Sequence, residues 1–163
     1  MKIRVNTLYI LSVLMALVIS TSSCDNPKKY DHYEAIPLSG WARNDTTKFE
    51  IPRQKSGNYI LDLGIRASRD YPYRNISLLL ESTIYPKDKK DENKTFSDTV
   101  VCKVIGNDGE LLGKDGISST EILRYVTTIS LKDSDSIHID VRHIMSQEKL
   151  LGISDIGIRL TKD

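Results

Sequence analysis

The stretch Tyr59-Ile60-Leu61-Asp62-Leu63-Gly64-Ile65-Arg66 decides how the rest of the chain is read. Tyr59, Leu61, Leu63 and Ile65 form one apolar face, and Asp62, Gly64 and Arg66 fall on the other. Successive side chains of a strand point to opposite faces, so this period of two marks a half-buried β-strand. The same rhythm extends in both directions. Phe49 and Ile51 alternate with Lys48 and Glu50 until Pro52 ends the run, and Ile76, Leu78, Leu80 and Ile84 share a face opposite Glu81, Thr83 and Tyr85. Thr99 to Ile105 resumes the pattern. Leu123, Tyr125, Thr127, Ile129 and Leu131 read as one apolar face, followed by Ile137, Ile139 and Val141 and then by Ile156, Ile158 and Leu160.

Between these runs lie turn residues: Asn107-Asp108-Gly109, Gly113-Lys114-Asp115-Gly116 and Asp133-Ser134-Asp135-Ser136. Lys87-Asp88-Lys89-Lys90-Asp91-Glu92-Asn93-Lys94 mixes both charge signs without an apolar anchor, as a solvated loop does. No amphipathic helix and no internal repeat emerge. The prediction is an all-β fold, a single antiparallel β-sandwich of jelly-roll or Ig-like outline with about seven to nine strands.

The chain has 163 residues, the size of one domain. Its formal charge of +1 becomes −1 once Lys2 and Arg4 are cut away, which gives no basis for nucleic-acid binding. Lys2 and Arg4 precede an apolar stretch from Leu8 to Ile19, too short for the roughly 20 residues of a membrane-spanning helix. A cationic head, an apolar middle and the small residues Ser20-Thr21-Ser22-Ser23 before Cys24 make a secretory signal.

The end of that signal resembles the bacterial lipobox, with Thr21 departing from its usual Leu. The resemblance implies cleavage before Cys24 and acylation of the cysteine, by palmitate or a similar chain, so that the protein sits on a membrane. The expected organisation is a lipoprotein signal peptide over 1–23, a lipidated tether and entry segment over 24–40, and the β-sandwich over 41–163. With the Cys24 sulfur consumed, Cys102 is expected to be a buried, inert thiol between Val100 and Val104.

Several pieces together resemble the gliding-motility lipoprotein H family (GldH) of Bacteroidetes. They are Tyr59 to Arg66, Asp70-Tyr71-Pro72-Tyr73-Arg74-Asn75, Asp98-Thr99-Val100, Gly109 to Gly116, Val141-Arg142-His143-Ile144-Met145 and Leu151 to Leu160. Between Glu121 and Ser136 the chain departs from the family, lacking an aromatic-rich entry and a Pro-Gly turn. Membership implies a non-enzymatic lipoprotein of the outer membrane, a structural or assembly component of an envelope complex with protein partners and no cofactor. The segment after Cys24 lacks an acidic cluster of the surface-export kind, which favours the periplasmic face over the cell surface.

The chemistry available is sparse. His138 and Asp140 share a face while His143 takes the other, so no metal set is expected. Nothing supports a Ser or Cys nucleophile, and Gly113-Lys114-Asp115-Gly116 lacks P-loop spacing. Trp41, Tyr71, Tyr73, Arg74 and Asn75 are the candidate contacts for a partner or a glycan, since loop aromatics can stack on sugars or anchor a protein. The competing reading of Trp41 is a core plug, and of the two tyrosines a tight turn around Pro72. Asp45-Thr46-Thr47, Asp98-Thr99-Val100 and Asp135-Ser136-Ile137 resemble the O-glycosylation sequon of exported Bacteroidetes proteins, which makes Thr46, Thr99 and Ser136 candidate acceptors. The alternative function is a carbohydrate-binding or nutrient-capture surface lipoprotein with Trp41, Tyr71 and Tyr73 as its stacking platform. Exposed coplanar aromatics would favour it; an uncovered sheet edge would favour a protein partner.

Overall fold

The computed structural model describes residues 27–88 and 90–163, which form eleven strands and no helix. The leader, and with it Cys24, lies outside the described residues. In chain order the strands are β1 (Lys28–Ala35), β2 (Trp41–Ala42), β3 (Thr47–Gln54), β4 (Gly57–Ala67), β5 (Asn75–Tyr85) and β6 (Lys94–Lys103). They continue with β7 (Lys114–Asp115), β8 (Thr120–Leu131), β9 (Asp135–His143), β10 (Lys149–Leu150) and β11 (Ile153–Lys162). Three are two-residue pieces, which leaves eight long strands.

One sheet runs β1-β11-β4-β8-β7, the other β3-β9-β5-β6, and β10 pairs with β2 in a small ribbon. Counting only the long strands, the two sheets read 1-8-3-6 and 2-7-4-5. That is the double Greek-key winding of a jelly roll, so of the two expected outlines the chain adopts the first. The inner faces meet in one core. Leu61, Leu63, Ile65, Ile156, Ile158 and Leu160 from the first sheet pack with Phe49, Ile76, Leu78, Leu80, Ile139 and Val141 from the second. Burying each such side chain contributes about 1.5–3 kcal/mol, which makes this alternation the main source of stability. Cys102 lies in the same core and is free, and burial pushes its thiol up to about 11.

Two expectations need correction. The segment 24–40 is not a tether throughout, because β1 pairs with β11 from Lys28↔Thr161 to Ala35↔Asp155. Its polarity concealed it: no side chain of β1 is fully buried, and only Lys29, Tyr30 and Tyr33 are partly covered. The second correction concerns β8. Ile129 and Leu131 do face the core, but Leu123 and Tyr125 are 42% and 56% exposed. Opposite β4, Leu61 pairs with Thr127 and Asp62 with Tyr125, so Val126 is an extra residue. A β-bulge of this kind reverses the facing of everything before it, and Ile122 becomes the inward residue instead.

Candidate functional site

The outer face of the five-stranded sheet carries the most distinctive arrangement. Asp62-Leu63-Gly64-Ile65-Arg66 in β4 and Asp155-Ile156-Gly157-Ile158-Arg159 in β11 are near-copies of one pentapeptide. The expectation of no internal repeat overlooked this pair, whose signal was present in the sequence as a shared Asp-x-Gly-Ile-Arg. The two strands are antiparallel neighbours with Gly64 opposite Gly157, Asp62 opposite Arg159 and Arg66 opposite Asp155. The repeat therefore closes on itself about the glycine pair, and each Asp faces the other copy's Arg.

Pairing continues to both sides and makes three ladders across the sheet. The middle one is Tyr33, Gly157, Gly64, Leu123; one flank is Asp31, Arg159, Asp62, Tyr125; the other is Asp155, Arg66, Glu121, Lys114. The Tyr33 ring covers both glycines. The Arg66 guanidinium stands 3.9 Å above that ring and reaches Glu121 at 3.7 Å and Asp155 at 3.9 Å. Arg159 meets Asp31 at 3.4 Å. Burial, helped by the Glu121 carboxylate, pushes the Tyr33 phenol well above its ordinary range. Burial also raises the Asp62 carboxyl, partly opposed by Arg159. Asp31 is pushed up by burial too, but Lys28 and Arg159 outweigh it and hold the carboxyl below its usual value. These are ion pairs at partly exposed side chains, each worth at most about 1 kcal/mol. They fix the side chains of the face more than they stabilise the fold.

Toward β8 the face changes character. Leu123 and Tyr125 end two of the ladders in solvent, beside Arg124, which makes no ion pair among the described residues. β7 pairs with β8 only at Thr120 and Glu121, so the edge beyond has no neighbouring strand among the described residues.

The candidate contacts read from the sequence do not form a platform. Trp41 and Tyr71 are each 1% exposed. The Trp41 indole N–H donates to the Asp45 carbonyl at 3.1 Å, and its ring packs edge-on against buried His143 at 5.4 Å. The Tyr71 hydroxyl donates to the Asn75 carbonyl at 2.9 Å, and Tyr73 lies edge-on to Tyr71, half-buried. Arg74 and Asn75 are exposed, but the Arg74 carbonyl accepts from Val104 and Ile105 N–H groups, a structural role. Trp41 is the core plug, and Tyr71 is buried just after a turn that closes from Ser68 to Tyr71, ahead of Pro72 instead of around it; a buried ring has no free face for a sugar. Thr46 is exposed ahead of β3, Thr99 is exposed in the middle of β6, and Ser136 is half-buried in β9.

His138 and Asp140 are 3.2 Å apart on one face, while His143 points into the core with its Nε2 3.2 Å from the Trp41 carbonyl. No group of three His, Cys, Asp or Glu able to hold a metal occurs among the described residues. An open cleft of about 770 Å³ lies between the loops at the Ala67 end of β4, lined by Ser68, Asp70, Glu110, Asp115 and Thr120. Within it the Thr120 hydroxyl donates to the Asp115 carboxylate at 2.9 Å, a bond that ties β7 to β8.

Comparison with known proteins agrees with the resemblance. The family model described as GldH lipoprotein matches residues 28–160. A gliding motility lipoprotein GldH homolog from Christiangramia forsetii is 28% identical over 159 residues, covering 92% of this chain and 93% of that protein. Gliding motility lipoprotein GldH from Flavobacterium johnsoniae is 26% identical over 155 residues, covering 91% and 93% respectively. Among solved structures, a protein from Sulfurospirillum deleyianum shares 13% identity at a TM-score of 0.44, covering 82% of this chain and 98% of that one.

Proposed function

The chain belongs to the GldH lipoprotein family, and from that premise we propose that it is a non-enzymatic, lipid-anchored component of a gliding-type envelope assembly. In this reading Cys24 carries the acyl chains, the domain sits on the periplasmic face of the outer membrane, and its partners are proteins. Only Asp25, Asn26 and Pro27 separate Cys24 from β1, a reach of about 14 Å. The domain would thus be held close to the bilayer, its contact surfaces at high local concentration for neighbours in the same membrane.

One observation carries the choice of a protein partner over a sugar. The Val126 bulge leaves Leu123 and Tyr125 in solvent beside an open sheet edge, while Trp41 and Tyr71 are buried. Thr46 and Thr99, as exposed hydroxyls, are the better placed of the three candidate glycosylation sites, and an intact mass equal to peptide plus lipid would remove all three. The anchor is tested in the native host by Cys24→Ala, which should move the protein from the membrane to the soluble fraction. Retention in the membrane with a free thiol at Cys24 in the wild type would overturn the reading.

A further inference from the structure

Resting on the anchored-scaffold reading, we propose that β8 is a strand-addition site for a partner protein. The occupant is an extended segment, apolar at alternate positions and acidic where it passes Arg124, that pairs with the free edge from Leu123 to Ile129.

The four sides of the sandwich are guarded unequally. Edge strand β1 carries Lys28, Lys29, Asp31 and Glu34; β3 carries Lys48, Glu50, Pro52 and Arg53; β6 carries Lys94 and Lys103 at its two ends and Asp98 between them, with Val101 exposed. Charge and proline on an edge are the means by which sheets avoid pairing with other chains. Past Glu121, β8 reads Ile122-Leu123-Arg124-Tyr125-Val126-Thr127-Thr128-Ile129-Ser130-Leu131, with Arg124 its one charged side chain and no Pro. Residues of this kind suit a pleated ladder.

The bulge adds to the case. It exchanges Leu123 and Tyr125 for Ile122 and Arg124 at the inward positions, and so sets two large apolar side chains on the outer face next to the open edge. An incoming strand would lie alongside both and cover them. Main-chain hydrogen bonds would supply affinity, and the alternate side chains specificity, as in strand addition generally. Arg124 lies opposite Leu63 and so on the other side of β8 from Leu123 and Tyr125, and it has no ion-pair partner among the described residues. An acidic side chain on the added strand would complement it and set the register.

The test uses the folded chain and two short synthetic peptides alternating Val and Thr, one with a central Asp and one with a central Lys. The Asp peptide should bind about tenfold more tightly, and Arg124→Glu should invert the preference. Amide exchange in the complex should slow between Leu123 and Ile129 and not along β1, β3 or β6. Lys48→Glu on β3, an equal charge change on a guarded edge, should leave the preference as it is. Binding by neither peptide, equal binding of both, a preference indifferent to Arg124→Glu, or protection mapping to another edge would each overturn the assignment. Such a failure leaves the anchored scaffold standing if Cys24 proves acylated; an unmodified Cys24 removes the scaffold reading without touching the peptide result.

Discussion

The ring of Tyr33 occupies the space that a side chain at Gly157 would need: a Cβ there would stand 2.5 Å from two of its ring carbons. A Cβ on Gly64 would collide with the hydroxyl end of the same ring. An aromatic on a neighbouring strand thus covers two glycines that would otherwise expose backbone. It also ties β1, the strand nearest the lipid signal, to β11 and β4. Gly157→Ala should expel the ring and cost about 1–3 kcal/mol, the range for overpacking. Chemical denaturation checks this, and the cost should shrink when Tyr33→Ala is made as well, because the collision is then gone. An undiminished cost in the double variant would mean that the glycine serves its own backbone only.

Buried His143 gives the fold a pH dependence. Burial is the largest influence and lowers its pKa below the ordinary 6.5, although the Trp41 carbonyl opposes this by accepting a hydrogen bond. The folded chain therefore holds His143 neutral, while the unfolded chain protonates it near pH 6.5. Stability from this group is complete above that pH and declines as the pH falls below it toward the depressed folded value. Thermal melts from pH 7.5 to 5 should show the decline, and His143→Gln should flatten it.

Cys102 should behave as a core residue and not as a reactive thiol. Burial raises its pKa to about 11, so almost no thiolate exists at pH 8. Iodoacetamide should leave it unmodified in the native protein and alkylate it in denaturant. Rapid native labelling would show that the β6 side of the sandwich opens.

Trp41→Ala should cost about 3–5 kcal/mol, as removal of a buried aromatic does. Tyr71→Phe, which loses one hydrogen bond to the Asn75 carbonyl, should cost about 1 kcal/mol. Calorimetry measures both. A stability change near zero for Trp41→Ala, accompanied by lost glycan binding, would restore the sugar-binding alternative.

Much of this architecture is legible in the sequence. Strands whose two faces differ cleanly, such as Tyr59 to Ile65 and Ile76 to Ile84, announce themselves by alternation, because one face is buried and the other wet. β1 could not be read that way: none of its eight residues is buried, whereas the edge strand β3 buries Phe49 and Ile51 and so shows its alternation. The facing of Leu123 and Tyr125 was hidden for another reason. A bulge inserts one residue without a sequence signature, and the run Leu123, Tyr125, Thr127, Ile129 alternates correctly only if Val126 is in register. The Asp-x-Gly-Ile-Arg pair was legible as letters, but its meaning arises from β4 and β11 lying side by side, some ninety residues apart in the chain. Family membership came through scattered short pieces, whose order and spacing proved more informative than any one of them.

If β8 is the docking strand, Leu123→Ser combined with Tyr125→Ser should free the protein from its assembly without unfolding it. Both side chains are exposed, so each change should alter stability by less than about 0.5 kcal/mol. Native electrophoresis of membranes extracted from the host in mild detergent should show the wild-type lipoprotein in an assembly. The double variant, equally abundant and equally membrane-bound, should run as a free subunit. An assembly of unchanged size and amount would rule out docking through β8.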